Sequence, residues 1–128
     1  QKYYEQAILA SIDFWDSVNP SSVRVTQAQK DQYIQKTTYN NTLEQIMTQK
    51  YIAQFWCGYE AWADYRRTGY PVLIIGTATD NNGILPTRLM YPSRAQQTNS
   101  VHYEEAVREM GGDNMRIPVW WSQKATSK

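Results

Sequence analysis

Apolar and polar positions alternate with a helical period along much of this chain. Over 2–17, KYYEQAILASIDFWDS, Tyr4, Ile8, Ile12 (or Ser11) and Trp15 share one face, which predicts a first helix. Asn19-Pro20-Ser21-Ser22 breaks it, because the residue before a proline disfavours the helical region. Val23-Arg24-Val25 reads as short and extended. Thr26, with Gln29 three residues on, predicts a capping box opening a second helix to about Thr37. That helix is polar. Only Ala28, Tyr33 and Ile34 offer apolar contact, so it belongs on the surface.

The longest pattern runs from Asn41 to Pro71 and reads as one amphipathic helix. Asn41 is its expected N-cap, and Glu44 stands three residues later to bond back. Leu43, Met47, Tyr51, Phe55, Trp62 and Tyr65 recur at helical spacing, with Cys57, Gly58 and Tyr59 filling one longer step. Gly58 marks a kink or a close helix contact. Arg66 and Arg67 occupy the last turn, where cations suit the helix dipole. Gly69 follows as a left-handed cap and Pro71 stops the helix. Some 26 residues would make a rod of roughly 40 Å.

Beyond Tyr70 the period is lost. Val72-Leu73-Ile74-Ile75 is either a strand or an extended segment laid across helices. Asp80-Asn81-Asn82-Gly83 is a turn signal, since Asn and Gly tolerate positive φ. Pro86 demotes 84–91 to an edge strand or an extended arm, which leaves room for one small β-hairpin. Asn99 or Ser100 caps a helix to about Met110, with Tyr103, Ala106 or Val107, and Met110 inward, and Gly111-Gly112 ends it. Residues 113–121 read as extended and finish in Val119-Trp120-Trp121, and the polar run from Gln123 reads as a frayed tail.

Composition narrows the function classes. A chain of 128 residues fits one domain. The formal charge of +1 gives no electrostatic ground for nucleic-acid binding. Ten Tyr and five Trp carry most of the aromatic content, and both side chains suit cores with polar margins and binding surfaces. No run approaches the roughly 20 apolar residues that span a membrane. The single Cys57 excludes an internal disulfide and reads as a small buried apolar residue. The chain opens on Gln1, with no signal peptide and no lipobox.

Several local patterns together resemble one known family. They are Glu60-Ala61-Trp62, then Arg66-Arg67-Thr68-Gly69-Tyr70-Pro71, with Gln49-Lys50-Tyr51-Ile52-Ala53 upstream. Downstream come Pro86-Thr87-Arg88-Leu89-Met90-Tyr91-Pro92 with Asn99, Gly111-Gly112-Asp113-Asn114-Met115, and Pro118-Val119-Trp120-Trp121. Their order resembles the C-terminal part of SusD/RagB outer-membrane lipoproteins, closely over about 45–121 and more loosely over 3–40. Ala95 departs from the pattern, which often has an acidic residue there. The resemblance implies a mainly α fold, a tetratricopeptide-like superhelix decorated by long extended loops. It implies that this chain is the C-terminal portion of a larger protein, with its lipid anchor elsewhere. It also implies non-covalent capture of an oligosaccharide or peptide nutrient at the outer face of the bacterial outer membrane. Handover to a SusC-like TonB-dependent transporter would follow by hinged closure.

The residues announce no catalysis. Glu60 and Asp64 share a helical face beside Arg66 and Arg67, which predicts an ion-pair cluster; glycoside hydrolysis draws its two carboxylates from facing walls. Asp13 and Asp16 read as the solvated side of the first helix. His102 is the one histidine, with Glu105 at i+3, and has no further ligand at metal spacing. No phosphate loop, dinucleotide fingerprint or nucleophile elbow occurs, so no cofactor is expected. Trp15, Trp56, Trp62 and Tyr51 sit at helical spacing and read as core. Tyr70, Trp120 and Trp121 lie outside helices, where their rings can stack on sugars, and are the candidate ligand contacts. Successive residues in an extended segment point to opposite sides, so one of Trp120 and Trp121 should be buried. The remaining motif residues, Glu60, Trp62, Arg66, Arg67, Gly69, Pro71, Arg88, Tyr91, Gly111, Gly112 and Asp113, read as architecture. Two other classes stay open: a glycan-cleaving enzyme, and a helical protein-interaction scaffold that binds no ligand itself.

Overall fold

A computed structural model describes residues 1–122, and the tail expected from Gln123 lies outside the described residues. The described chain is mainly α. It holds α1 (Lys2–Val18), a 3-10 turn (Ser21–Val23), α2 (Gln27–Lys36), α3 (Leu43–Ala53), α4 (Gly58–Thr68), α5 (Ser93–Thr98) and α6 (Ser100–Met110). No strand occurs among the described residues. Two compact units divide the chain within α4, at Gln1–Asp64 and Tyr65–Lys128.

In the first unit α1 packs on α2 and α3. Its predicted face is the inward one: Ile8 is buried, and Tyr4, Ile12 and Trp15 are half-buried. α1 stops at Asn19, which takes an extended conformation before Pro20. The predicted capping box opens α2. Thr26 accepts from the Gln29 N–H, and the Gln29 side chain accepts from the Thr26 N–H. Asp16, read above as merely solvated, fastens this connection instead. Its Oδ1 accepts from the Val25 N–H at 3.0 Å, and Lys30 Nζ lies 3.4 Å from Oδ2 and 2.6 Å from Asp13 Oδ1. The Val25 bond holds the Asp16 carboxyl below its ordinary range.

The single long helix expected over 41–71 is two helices. Asn41 has φ 64° and is not the cap; Thr42 is, accepting from the Gln45 N–H. Gln45 rather than Glu44 folds back, accepting from the Asn40 N–H and donating to the carbonyls of Thr37 and Thr38. The break at 54–57 has a tertiary cause. A continuous helix would offer the Ala53 carbonyl to the Cys57 N–H. Here the Trp15 indole Nε1 donates to that carbonyl at 3.3 Å, and the Cys57 N–H turns to Gln54 O at 2.8 Å. The Cys57 carbonyl then accepts from Glu60 and Ala61 and starts α4. Phe55-Trp56-Cys57-Gly58, a run of weak helix formers, does not resist the break. Nothing lies within 4 Å of a Cβ built on Gly58, so among the described residues no helix makes a close approach on that side.

The core expectations for this stretch are partly overturned. Cys57 is exposed, as are Trp56 at 78 % and Tyr51 at 42 %. Trp56 and Cys57 lie in the break itself, outside either helix, whereas Tyr51 is exposed within α3.

In the second unit Gly69, at φ 75°, caps α4 through its N–H to Tyr65 O, and a cis peptide joins Tyr70 to the buried Pro71. The Asp80–Gly83 turn forms, with Asn82 and Gly83 at φ 59° and 69°. The hairpin it allowed does not. The Thr87 N–H, which a ladder would need, donates to Met115 O at 2.8 Å, and Ile74 is almost wholly exposed. α5 was not anticipated. It packs on α6, whose inward positions Tyr103, Ala106, Val107 and Met110 are half-buried as the period requires. Gly111, at φ 79°, ends α6. Residues 113–121 are bends and turns rather than one extended run.

Candidate functional site

The motif residues of the second unit gather around two anchors. One is Thr87, buried, whose Oγ1 lies 2.8 Å from Met115 O and 3.1 Å from Ile117 O. Its own carbonyl accepts from Arg66 Nη1 at 3.4 Å. The Arg66 guanidinium stands 4.6 Å over the Trp121 ring, a cation–π contact, and burial lowers its pKa. The helix-end arginine thereby ties the 84–91 arm to the Trp120-Trp121 turn.

The second anchor is Asp113. Its carboxylate accepts from the Tyr91 N–H at 3.2 and 3.1 Å and from the Tyr103 hydroxyl at 3.3 Å. Arg88 Nη1 lies 3.2 Å from Oδ1, with both side chains nearly buried. That contact is an ion pair without hydrogen-bond alignment. Arg88 also lies 5.2 Å from the Tyr91 ring, and Tyr91 meets Tyr103 edge to face. Gly112, at φ 136°, delivers Asp113 from the end of α6.

Of the three candidate ligand contacts, Trp120 is 84 % exposed and Trp121 is 39 % exposed with a face covered by Arg66. The expected burial of one indole is therefore only partial, because the segment turns. Tyr70 is half-buried beside the cis peptide, its N–H donating to Thr68 Oγ1. In the first unit, Glu60 and Asp64 converge on Lys50, at 3.3 and 2.6 Å, a partner 10 or more residues upstream that helical spacing did not suggest. The Asp64 bond is the main reason the Lys50 pKa is raised.

The sequence also gave no sign of a half-open groove of about 930 Å³ in the first unit. Ile8 and the stacked pair Tyr4–Tyr39, with centroids 4.9 Å apart, contribute to its lining, with Val23, Ile46 and Ile52.

His102 Nδ1 lies 3.6 Å from Glu105 at the surface. Among the described residues no group of three or more His, Cys, Asp or Glu side chains could hold a metal ion, and no helix is long and apolar enough to cross a membrane.

Comparison with known proteins places this geometry. No curated protein matches the chain. Solved structures do. A chitin-binding protein is 32 % identical, with a TM-score of 0.76 over 94 % of this chain and 27 % of its own. A SusD-like protein described as Bacteroidetes AC2a is 28 % identical, with a TM-score of 0.77 over 94 % and 25 %. An outer membrane protein of Bacteroides vulgatus ATCC 8482, described as involved in nutrient binding, is 32 % identical, with a TM-score of 0.74 over 94 % and 28 %. The chain thus spans about a quarter of the length of these structures. The SusD-like model, described as SusD and RagB outer membrane lipoprotein, matches residues 1–122, and the chain belongs to that family.

Proposed function

We propose that this chain is the C-terminal part of a larger SusD-like protein that captures nutrient glycans at the bacterial outer surface and does not cleave them. The lipid anchor lies elsewhere in that protein, and the captured oligosaccharide (or peptide, in other members) passes to a SusC-like TonB-dependent transporter. The family match over residues 1–122 carries this reading. The chitin-binding and nutrient-binding neighbours favour a carbohydrate ligand. Trp120, 84 % exposed on a turn, offers a flat face for a sugar ring, with Trp121 and Tyr70 as its proposed companions. Arg66, bonded to the Thr87 carbonyl, holds that turn through Trp121, and the motif residues around Asp113 serve as architecture.

Titration calorimetry of the full-length protein against a glycan panel, chito-oligosaccharides first, tests this. Saturable binding with no new reducing ends is expected. Trp120→Ala should weaken it about fivefold, the worth of one aromatic stack of about 1 kcal/mol. Reducing-end release, or no affinity for any glycan, would overturn the reading. The exposed Phe55, Trp56 and Tyr59 favour a second reading, a protein-interaction scaffold, which predicts a partner whose binding is indifferent to sugar.

A further inference from the structure

The turn between the apolar 72–75 segment and the 84–91 arm holds the chain's one Asn-Gly pair, Asn82-Gly83. Asn82 is exposed, and among the described residues its side-chain amide makes no hydrogen bond. The neighbouring Gly83 nitrogen has no side chain of its own to shield it. That nitrogen is nevertheless occupied: its N–H donates to Thr79 Oγ1 at 2.7 Å. We propose that Asn82 is a site of spontaneous deamidation, and that the Thr79 hydroxyl slows the reaction by holding the nitrogen that must attack.

The reaction needs only water. Solvent base removes the Gly83 amide proton, and the nitrogen attacks Asn82 Cγ. A new N–C bond closes a succinimide ring, the bond from Cγ to the side-chain nitrogen breaks, and that nitrogen leaves as ammonia with a proton from solvent. Water then opens the ring at either carbonyl, giving aspartate or isoaspartate. A side chain on the residue after the asparagine crowds this attack, which disfavours Asn40, Asn41, Asn81, Asn99 and Asn114. Asn19 precedes Pro20, which has no N–H to lose. Asn81 is also clamped, its Nδ2 donating to Ile84 O at 2.8 Å and its Oδ1 accepting from the Ile84 N–H at 3.3 Å. At Asn82 the side chain has no such clamp, and the brake acts on the nucleophile. An N–H donating at 2.7 Å makes a bond at the short end of the range. That bond must break before the nitrogen can lose its proton and swing toward Cγ. A Cβ built on Gly83 would meet only Ile75 Cγ2, at 4.0 Å, so packing leaves the swing room and Thr79 is the group that restrains it. The product matters for the arm. Either acid adds a negative charge, and isoaspartate also lengthens the main chain by a methylene. Both changes fall beside the Asn81–Ile84 clamp, where the arm bearing Thr87 and Arg88 begins.

Peptide mapping of the full-length protein after ageing at neutral pH tests the proposal. Mass spectrometry follows the amide-to-acid conversion, and methylation by a protein isoaspartate methyltransferase tells isoaspartate from aspartate. Asn82 should convert, while Asn81 in the same digests stays intact. Conversion in the folded protein should be slower than in a free peptide spanning 78–86 by about fivefold or more, because the Thr79 bond must open first. Thr79→Ala should speed it about fivefold, the factor that one ordinary hydrogen bond commands. Thr79→Ser keeps the hydroxyl and should restore the native rate. Thr79 is exposed, so neither substitution disturbs packing. A Thr79→Ala protein that converts no faster than the native one overturns the proposal, and one that converts more slowly would make the hydroxyl a promoter rather than a brake. Equal rates for the Ser and Ala variants, or for the folded protein and the peptide, overturn it as well. The reaction involves neither glycan nor partner, so these outcomes stand apart from the fate of the proposed function.

Discussion

Asp113→Asn removes one charge from the second unit and changes almost nothing in shape. The native carboxylate accepts from two donors, the Tyr91 N–H and the Tyr103 hydroxyl, and forms an ion pair with the Arg88 guanidinium. An amide in its place supplies one acceptor and turns an NH2 toward groups that are themselves donors. Arg88, its side chain 11 % exposed, is left with its charge unmatched. Breaking one side of a largely buried pair costs about 3–5 kcal/mol, because the remaining ion keeps its desolvation penalty. The misaligned Arg88 contact puts the expected loss at the lower end, about 3 kcal/mol. Denaturant unfolding of the full-length protein measures it. Arg88→Met combined with Asp113→Asn should recover about 1–2 kcal/mol of the summed single losses, since the double variant leaves no unmatched charge. The Tyr91 amide, freed from its carboxylate, should exchange with solvent faster. A loss below about 0.5 kcal/mol with unchanged Tyr91 exchange would show that Asp113 is not the anchor its contacts suggest.

Thr87→Val keeps the shape and removes the hydroxyl that reaches Met115 O and Ile117 O. A loss of about 1–2 kcal/mol in denaturant unfolding is expected, and a neutral result would mean that the backbone bond to Met115 alone positions the arm. Gly111→Ala meets no atom within 4 Å, so its cost is confined to the left-handed backbone, about 1 kcal/mol. Asn at the same position should cost less, as thermal unfolding of the two variants would show. The Asp16 carboxyl is held below its ordinary value near 3.8, chiefly by the Val25 N–H. A lowered folded-state pKa stabilises above the unfolded value and is lost as pH falls through the folded one. Protection of the Val25 amide should therefore persist to below pH 4 and then fail, and Asp16→Asn should abolish that acid step; a Val25 amide indifferent to pH and to the substitution contradicts the assignment.

What could be read from the sequence was local. The Thr26–Gln29 box and the Gly111 cap each need only a few adjacent residues, and both formed as predicted. The break at 54–57 depends on Trp15, 38 residues away from the carbonyl it takes, and no periodicity carries that information. The failed hairpin has the same cause, since Thr87 is claimed by Met115, 28 residues on. α5 was invisible because Ala95 is its one apolar residue, leaving no stripe to detect. At the candidate site, the motif residues were named from their resemblance to a family, but their pairings were not. Nothing in the spacing of Arg66 and Trp121, or of Arg88 and Asp113, says that these pairs meet.

The aromatic richness of the chain illustrates a rule that sequence cannot apply. Tyr and Trp serve cores and binding surfaces equally well, and what separates the two uses is where the polar tip goes. Trp15 spends its indole N–H on Ala53, Tyr33 its hydroxyl on Gln49, and Tyr103 its hydroxyl on Asp113. Those three rings are fixed parts of the fold, and truncating them should cost stability before it touches any ligand. Trp120 is 84 % exposed, on a turn whose neighbour Trp121 is held by Arg66. A ring so placed adds little to folding, so its truncation can be read as a binding effect. Tyr3 is as exposed as Trp120, yet it stands on a helix at the lip of an apolar groove rather than on a turn. Exposure alone therefore does not nominate a sugar platform.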